Sequence, residues 1–295
     1  MNFLIIGGTR FIGLETARQL YEAGHQITLF HRTLLSGLPY KQFQGNRDDI
    51  DALRTCIAQI KPDCIIHMVA MEAQHIAVLE KALCGQKMRV IVVSSGDVYK
   101  AFEVLHKLSG APVQPVPLAE TSPLREVRYP FRNVRSPFDN YEKIDVEAAA
   151  MNSEAVDAII VRLGMIFGKH DPNKRFADTI QTMRQSNRME VPANVASWRT
   201  CYSGVKNTAH GIILACEKAE AGEVFNIADE GVFTEIEWYD KIARLIHWKG
   251  RIIAASSVST AFNFDQQLIL DTSKIRRELG FVEICHAEEQ LKEII

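Results

Sequence analysis

The sequence predicts an α/β fold, a doubly wound parallel sheet with a smaller C-terminal region, and three observations predict it. An apolar run, Phe3 to Ile6, enters a glycine-rich turn and is followed by a helical pattern. Strand-like apolar runs then alternate with helical stretches as far as Leu163. At 295 residues the chain is long enough for a full doubly wound sheet plus an appended region.

Taken in order, the first strand runs into Gly7-Gly8-Thr9-Arg10-Phe11-Ile12-Gly13. The helical pattern of Phe11, Ile12, Leu14, Ala17 and Leu20 stops near Gly24, and a second strand from Gln26 to Phe30 ends at His31-Arg32. Strand, glycine turn, helix, strand is the opening of a Rossmann-like dinucleotide fold, in which a pyrophosphate sits on the helix N-terminus. A third strand is read at Lys41 to Gln44, with Gly45-Asn46-Arg47-Asp48 opening a helix from about Asp48 to Ile60. Pro62 to Ala70 reads as the fourth strand, Glu72 to Leu83 as a helix and Arg89 to Ser94 as the fifth strand.

Tyr99 to Pro137 reads as an irregular stretch, with prolines at 112, 115, 117, 123 and 130. Ser136-Pro137-Phe138-Asp139 reads as a helix start, an N-cap serine followed by proline and an acid, with the helix running to about Met151. Val156 to Leu163 is the sixth strand, and beyond Gly164 the alternation weakens. The Asn207 to Ala219 helix and the Glu223 to Ile227 strand return to the main sheet. A dinucleotide-binding domain of residues 1–166 plus 205–228, and a substrate-binding region of 167–204 plus 229–295, follow from this reading.

Composition narrows the class. A formal net charge of −2 argues against a dedicated nucleic-acid partner. Six cysteines without CxxC spacing read as reduced thiols rather than metal ligands, and a cytoplasmic home fits them. The N-terminal apolar stretch is broken by glycines and lacks a basic leader, so it does not read as a signal peptide, and no apolar run approaches the ~20 residues that cross a bilayer.

The end of the second strand bears on cofactor choice. A carboxylate there would accept the adenosine ribose hydroxyls of NAD. His31 and Arg32 take that place, and with Arg10 they suit the 2′-phosphate of NADP. Arg10 itself either aims its guanidinium at phosphate, weakens the site, or is solvated beside the turn.

The Gly7–Gly13 spacing resembles the GxxGxxG turn of the short-chain dehydrogenase/reductase superfamily, with Arg10 where a middle glycine is expected. Ser94-Ser95-Gly96-Asp97-Val98-Tyr99, Asn140-Tyr141-Glu142-Lys143-Ile144-Asp145-Val146-Glu147 and Arg162-Leu163-Gly164-Met165-Ile166-Phe167-Gly168 are together similar to bacterial proteins of the NAD-dependent epimerase/dehydratase family. Asp271 to Gly280 resembles a C-terminal helix of that class, and chloroplast stem-loop-binding proteins share the GGTRF-type turn.

The resemblance implies site residues. Gly7, Thr9, Arg10, Phe11, Ile12, Gly13, His31, Arg32, Asn46, Arg47, Val69 and Ala70 would contact NADP, the preferred cofactor, or NAD. Ser95 would hydrogen-bond the reacting oxygen, or else simply cap a strand end, and Asp97 would be half of the acid pair that dehydratases carry. Arg199 would meet a substrate phosphate. His67 matches a histidine common in the fourth strand and reads as a hydrogen-bonded core residue.

The expected dyad is a tyrosine with a lysine four residues on, but Tyr141 is followed at that distance by Asp145. In a regular helix Lys143 would point away from Tyr141, and a carboxylate beside Tyr141 would raise its pKa. Arg125, Arg128, Arg132 and Arg135, interleaved with Tyr129 and Phe131, fit an anionic substrate, an RNA, or a solvated loop.

Two readings follow. One is an NAD(P)-dependent oxidoreductase or epimerase/dehydratase acting on a small sugar-like or nucleotide-sugar substrate, with Ser95, Tyr141 and Lys143 catalytic. The other is a non-catalytic NADP(H) sensor or RNA-associated protein with a degenerate dyad. A homodimer through helices near Ala73–Leu83 and Ala148–Met151 is expected by resemblance.

Overall fold

A computed structural model describes residues 1–295. Its main sheet has seven parallel strands. The first six are β1 (Asn2–Ile6), β2 (Gln26–His31), β3 (Lys41–Gln44), β4 (Cys64–His67), β5 (Met88–Ser95) and β6 (Val156–Leu163), and the seventh is Val224–Ile227. From one edge the order is Val224–Ile227, β6, β5, β4, β1, β2, β3. The chain therefore steps outward from β1 to β3, then returns to the far side of β1 as β4. That reversal opens a crevice at the C-terminal ends of β1 and β4, where such sheets bind ligands.

Period-two alternation sorts the strand side chains onto two faces. Phe3, Ile5, Leu29, Ile66, Ile91 and Val161 pack with α1 (Phe11–Glu22) and the Val205–Lys218 helix. Leu4, Ile6, Phe30, Ile65, Val92 and Ile160 pack with α2 (Ile50–Ile60) and α3 (Ala73–Leu83) on the other side. Burial on both faces explains why these strands read as nearly unbroken apolar runs. Each such side chain contributes roughly 1.5–3 kcal/mol.

Three expectations need correction here. The irregular stretch after β5 begins with a short helix, α4 (Lys100–Leu105), whose residues Ala101 to Leu105 are all buried. The helix predicted from Pro137 starts instead at Lys143, as α5 (Lys143–Met151). Its N-cap is Glu142, whose carboxylate accepts from Ile144 N, whereas Asp139, the acid read as a first-turn residue, turns back to accept from Asn133 N at 2.8 Å. Finally, His67 is fully buried, but neither ring nitrogen has a partner.

Beyond β6 three two-stranded pairings form: Met165–Phe167 with Tyr202–Gly204, Arg199–Thr200 with Phe233–Thr234, and Arg188–Pro192 with Arg251–Ala255. Their apolar centre is Phe167, Phe176, Ile180, Met183, Trp238, Ile242 and Leu291. No helix is long and apolar enough to cross a membrane.

Candidate active site

The glycine turn leaves β1 at Gly7, whose φ of +87° is a backbone state that only glycine adopts without strain. A Cβ at Gly7 would sit 2.6 Å from a Val69 methyl, and one at Gly13 would sit 2.8 Å from Gly8 Cα. Strand end, turn and helix thus pack backbone to backbone. Arg10 is the N-cap of α1 but makes no side-chain capping bond, and the first turn of the helix holds no acid. Its free N–H groups and positive dipole end therefore suit an anion, and a diphosphate is the group this cradle fits. The Arg10 side chain is exposed.

At the end of β2, the His31 carbonyl accepts from Gly45 N, while its Nε2 is buried without a partner. Arg32 is exposed beside it. Asn46 is exposed, and Arg47 is half-buried with Nη1 donating to the Val69 carbonyl at 2.8 Å. Burial, and to a lesser extent the charge of Arg32, pushes the Arg47 guanidinium below its usual range. Of these residues, Arg47 reaches Val69, just beyond the end of β4.

The chemistry-bearing groups meet at the end of β5. Ser95 accepts from Asp97 N at 3.2 Å and so caps the single 3-10 turn of Gly96–Val98, the capping role that its sequence position allowed. That turn aims Asp97 inward. Tyr141 precedes the N-cap of α5 and lies outside the helix, and its hydroxyl donates to Asp97 Oδ2 at 2.6 Å. The other Asp97 oxygen, Oδ1, is buried and has no partner.

Lys143 opens α5 on the stripe that the helix turns inward, with Val146, Glu147 and Ala150. Its Nζ donates to the Ala70 carbonyl at 2.6 Å and the Val93 carbonyl at 2.8 Å, bridging the ends of β4 and β5. It also lies 5.7 Å from the Tyr141 ring centroid. Because Tyr141 lies outside α5, helix geometry does not turn Lys143 away from it.

Burial dominates the electrostatics. It raises the Asp97 carboxyl above its ordinary range, against the hydrogen bond from Tyr141 and the charges of Arg125 and Lys143. It also raises the Tyr141 phenol well above 10, and Asp97 adds to that rise. The sequence assigned this effect to Asp145, but Asp145 pairs instead with Arg128. Lys143 is pushed down to about 8, again by burial, with Asp97 and Glu147 opposing.

Other predicted residues have different roles. Tyr99 is buried in a structural network: its hydroxyl donates to Asn226 Oδ1 at 2.6 Å and accepts from Arg162. Arg162 in turn pairs with Glu147, which also accepts from Ser94. Arg125 is not part of a solvent-facing arginine row, because its side chain is fully buried against Glu142. Arg132 stacks on Tyr129 and Arg135 on Phe138. Arg199 is exposed, with Nη2 3.4 Å from the Val232 carbonyl.

Sequence reasoning missed Glu142 and His75. His75 sits 6.4 Å from the His67 ring and accepts two backbone N–H bonds on Nδ1, from Met71 and Glu72. Burial pushes it down to about 4. An acid directly before the inward-facing Lys143 was the available signal for Glu142.

The comparisons agree with this architecture. The chain is 25% identical over 259 residues to an uncharacterized protein of Schizosaccharomyces pombe, covering 79% of this chain and 76% of that one. It is 31% identical over 120 residues to the chloroplast stem-loop binding protein of 41 kDa b of Arabidopsis thaliana, which covers 35% of this chain and 32% of that protein. Among solved structures, UDP-glucose 4-epimerase of Thermotoga maritima, with UDP-glucose, superposes with a TM-score of 0.73 at 18% identity, covering 100% and 97% of the two chains. DesIV, the dTDP-glucose 4,6-dehydratase of Streptomyces venezuelae, with NAD and TYD bound, gives 0.75 at 18% identity over 100% and 96%. The family model described as NAD dependent epimerase/dehydratase matches residues 3–228, and the chain belongs to that family.

Proposed function

We propose that the protein is an NADP(H)-preferring enzyme that oxidises and reduces a hydroxyl carbon of a sugar-like or nucleotide-sugar substrate. The observation that carries this reading is the Tyr141–Asp97 hydrogen bond beside the buried Lys143 ammonium. The nicotinamide, when bound, supplies or accepts the hydride. The residues of the chain move the proton. As a substrate hydroxyl gives its proton to the Tyr141 oxygen, the phenol passes its own proton to Asp97, so Tyr141 never needs to exist as a free phenolate. A carboxylate raised by burial is a stronger base than one in water, which favours that transfer. Lys143 holds positive charge next to the pair, and the ends of β4 and β5 fix it there.

The preference for NADP rests on the absence of a carboxylate at the end of β2 and on the exposed Arg32, with Arg47 nearby. A nucleotide-sugar substrate is supported by what the two structural neighbours act on. The test is calorimetric titration with NADPH and with NADH, followed by a panel of UDP- and dTDP-hexoses incubated with NADP+, with net oxidation read at the nicotinamide absorbance and redox-neutral conversion read by proton NMR of the sugar. Tight NADPH binding and turnover of a panel member support the reading. Absence of binding by either nucleotide overturns it in favour of a binding role that uses the fold without the cofactor.

A further inference from the structure

Tyr141 and Asp97 are 44 positions apart, and Tyr141 sits in a loop, so no helical ladder holds their contact. A buried ion pair spans both sides of it. The Arg125 guanidinium donates through Nε to the Asp97 carbonyl at 2.9 Å, and its backbone N–H donates to Val98 O at 2.8 Å, so Arg125 grips the turn that carries Asp97. The same guanidinium reaches Glu142, the residue after Tyr141, with Nη1 to Oε2 at 2.8 Å and Nη2 to Oε1 at 2.5 Å. The Glu142 oxygens also accept from Tyr129 N at 2.7 Å and Ile144 N at 3.0 Å. One carboxylate therefore caps α5, anchors the loop before Tyr141 and takes the arginine fork.

We infer that Arg125 and Glu142 are positioning residues that fix the turn of Asp97 against the chain of Tyr141 and so set the distance across which the proton moves. This rests on the reading of Tyr141 and Asp97 as the proton-transfer pair. The fork geometry is essential to it: five donors in one plane serve two elements at once, which a lysine ammonium cannot reproduce. Within the site the charged and polar groups facing Asp97 are Tyr141, Ser95, Lys143 and Arg125. Arg125 favours ionisation of both Asp97 and Tyr141.

The test needs neither substrate nor cofactor. Carbon-13 NMR of the labelled full chain follows the Asp97 carboxyl and the Tyr141 ring, assigned with Asp97→Asn and Tyr141→Phe. Arg125→Gln, Arg125→Lys and the near-isosteric Glu142→Gln are then titrated, with thermal stability read in parallel. The expected result is a rise of about one pH unit in the Asp97 midpoint for Arg125→Gln. Arg125→Lys should restore the midpoint in part while leaving the Tyr141 resonance displaced, because charge returns without the fork. Should Arg125→Gln not fold, Arg125→Lys and Glu142→Gln carry the test through the Tyr141 resonance. Lowered stability with unchanged Asp97 and Tyr141 signals would reduce the pair to a structural role and overturn the inference. Loss of NADPH binding by the wild-type chain would instead strike the functional reading, and calorimetry detects that separately.

Discussion

The Tyr141 hydroxyl donates to Asp97 Oδ2 at 2.6 Å, and both residues are buried at the end of β5. Removing the phenol oxygen in Tyr141→Phe takes away both the proton shuttle and the hydroxyl that donates to that carboxylate oxygen. Turnover should fall by about 10²–10⁴-fold, the range for a lost acid–base group. NADPH affinity should be unchanged. Steady-state kinetics and calorimetry on the same preparations check both.

Lys143 gives a pH signature of definite sign. Its folded pKa is about 8 against an ordinary 10.5, so between those values the unfolded chain holds a proton that the folded chain has released. Stability contributed by this group therefore rises with pH through that window, because the cost of burying the ammonium disappears. Urea denaturation of the wild type and Lys143→Met from pH 7 to 10.5 should show the wild type gaining about 3 kcal/mol relative to the variant. Parallel pH profiles of the two proteins would contradict the assignment. Turnover should decline above pH 8 in the wild type as the cation beside Asp97 is lost.

Arg32→Ala tests cofactor choice. An exposed guanidinium on a phosphate has charge-assisted bonds to lose, so NADPH affinity should weaken about 10-fold to 100-fold, with NADH affinity little changed. Equal effects on both nucleotides would mean that Arg32 does not read the 2′-phosphate.

The Glu147–Arg162 pair tests the scaffold. Side-chain exposures of 9% and 6% make it a buried pair, and Glu147 also takes the Ser94 hydroxyl. Glu147→Ala should cost about 3–5 kcal/mol by leaving a buried guanidinium uncompensated. Chemical denaturation measures it, and a loss below about 1 kcal/mol would show that the network relaxes.

The sheet was legible because local pattern and global fold agree there. Val156–Leu163 was read to the residue, and the glycine turn and β2 fell where the apolar runs and glycines put them. The site was legible only in part. Ser95, Asp97, Tyr141 and Lys143 were each singled out, but not the geometry that joins them. Ser136-Pro137 carried a strong local start signal, and the tertiary contacts of Asp139 and Glu142 overrode it. The Arg125–Glu142 pair, 17 positions apart, has no periodic signature, so four arginines in a loop looked alike although one is fully buried.

The most direct test is turnover by Asp97→Asn, which keeps the shape of the side chain and removes the proton acceptor. On a nucleotide-hexose that the wild type converts, Asp97→Asn should lose about 100-fold or more of turnover with NADPH affinity intact. Wild-type turnover in Asp97→Asn would contradict it.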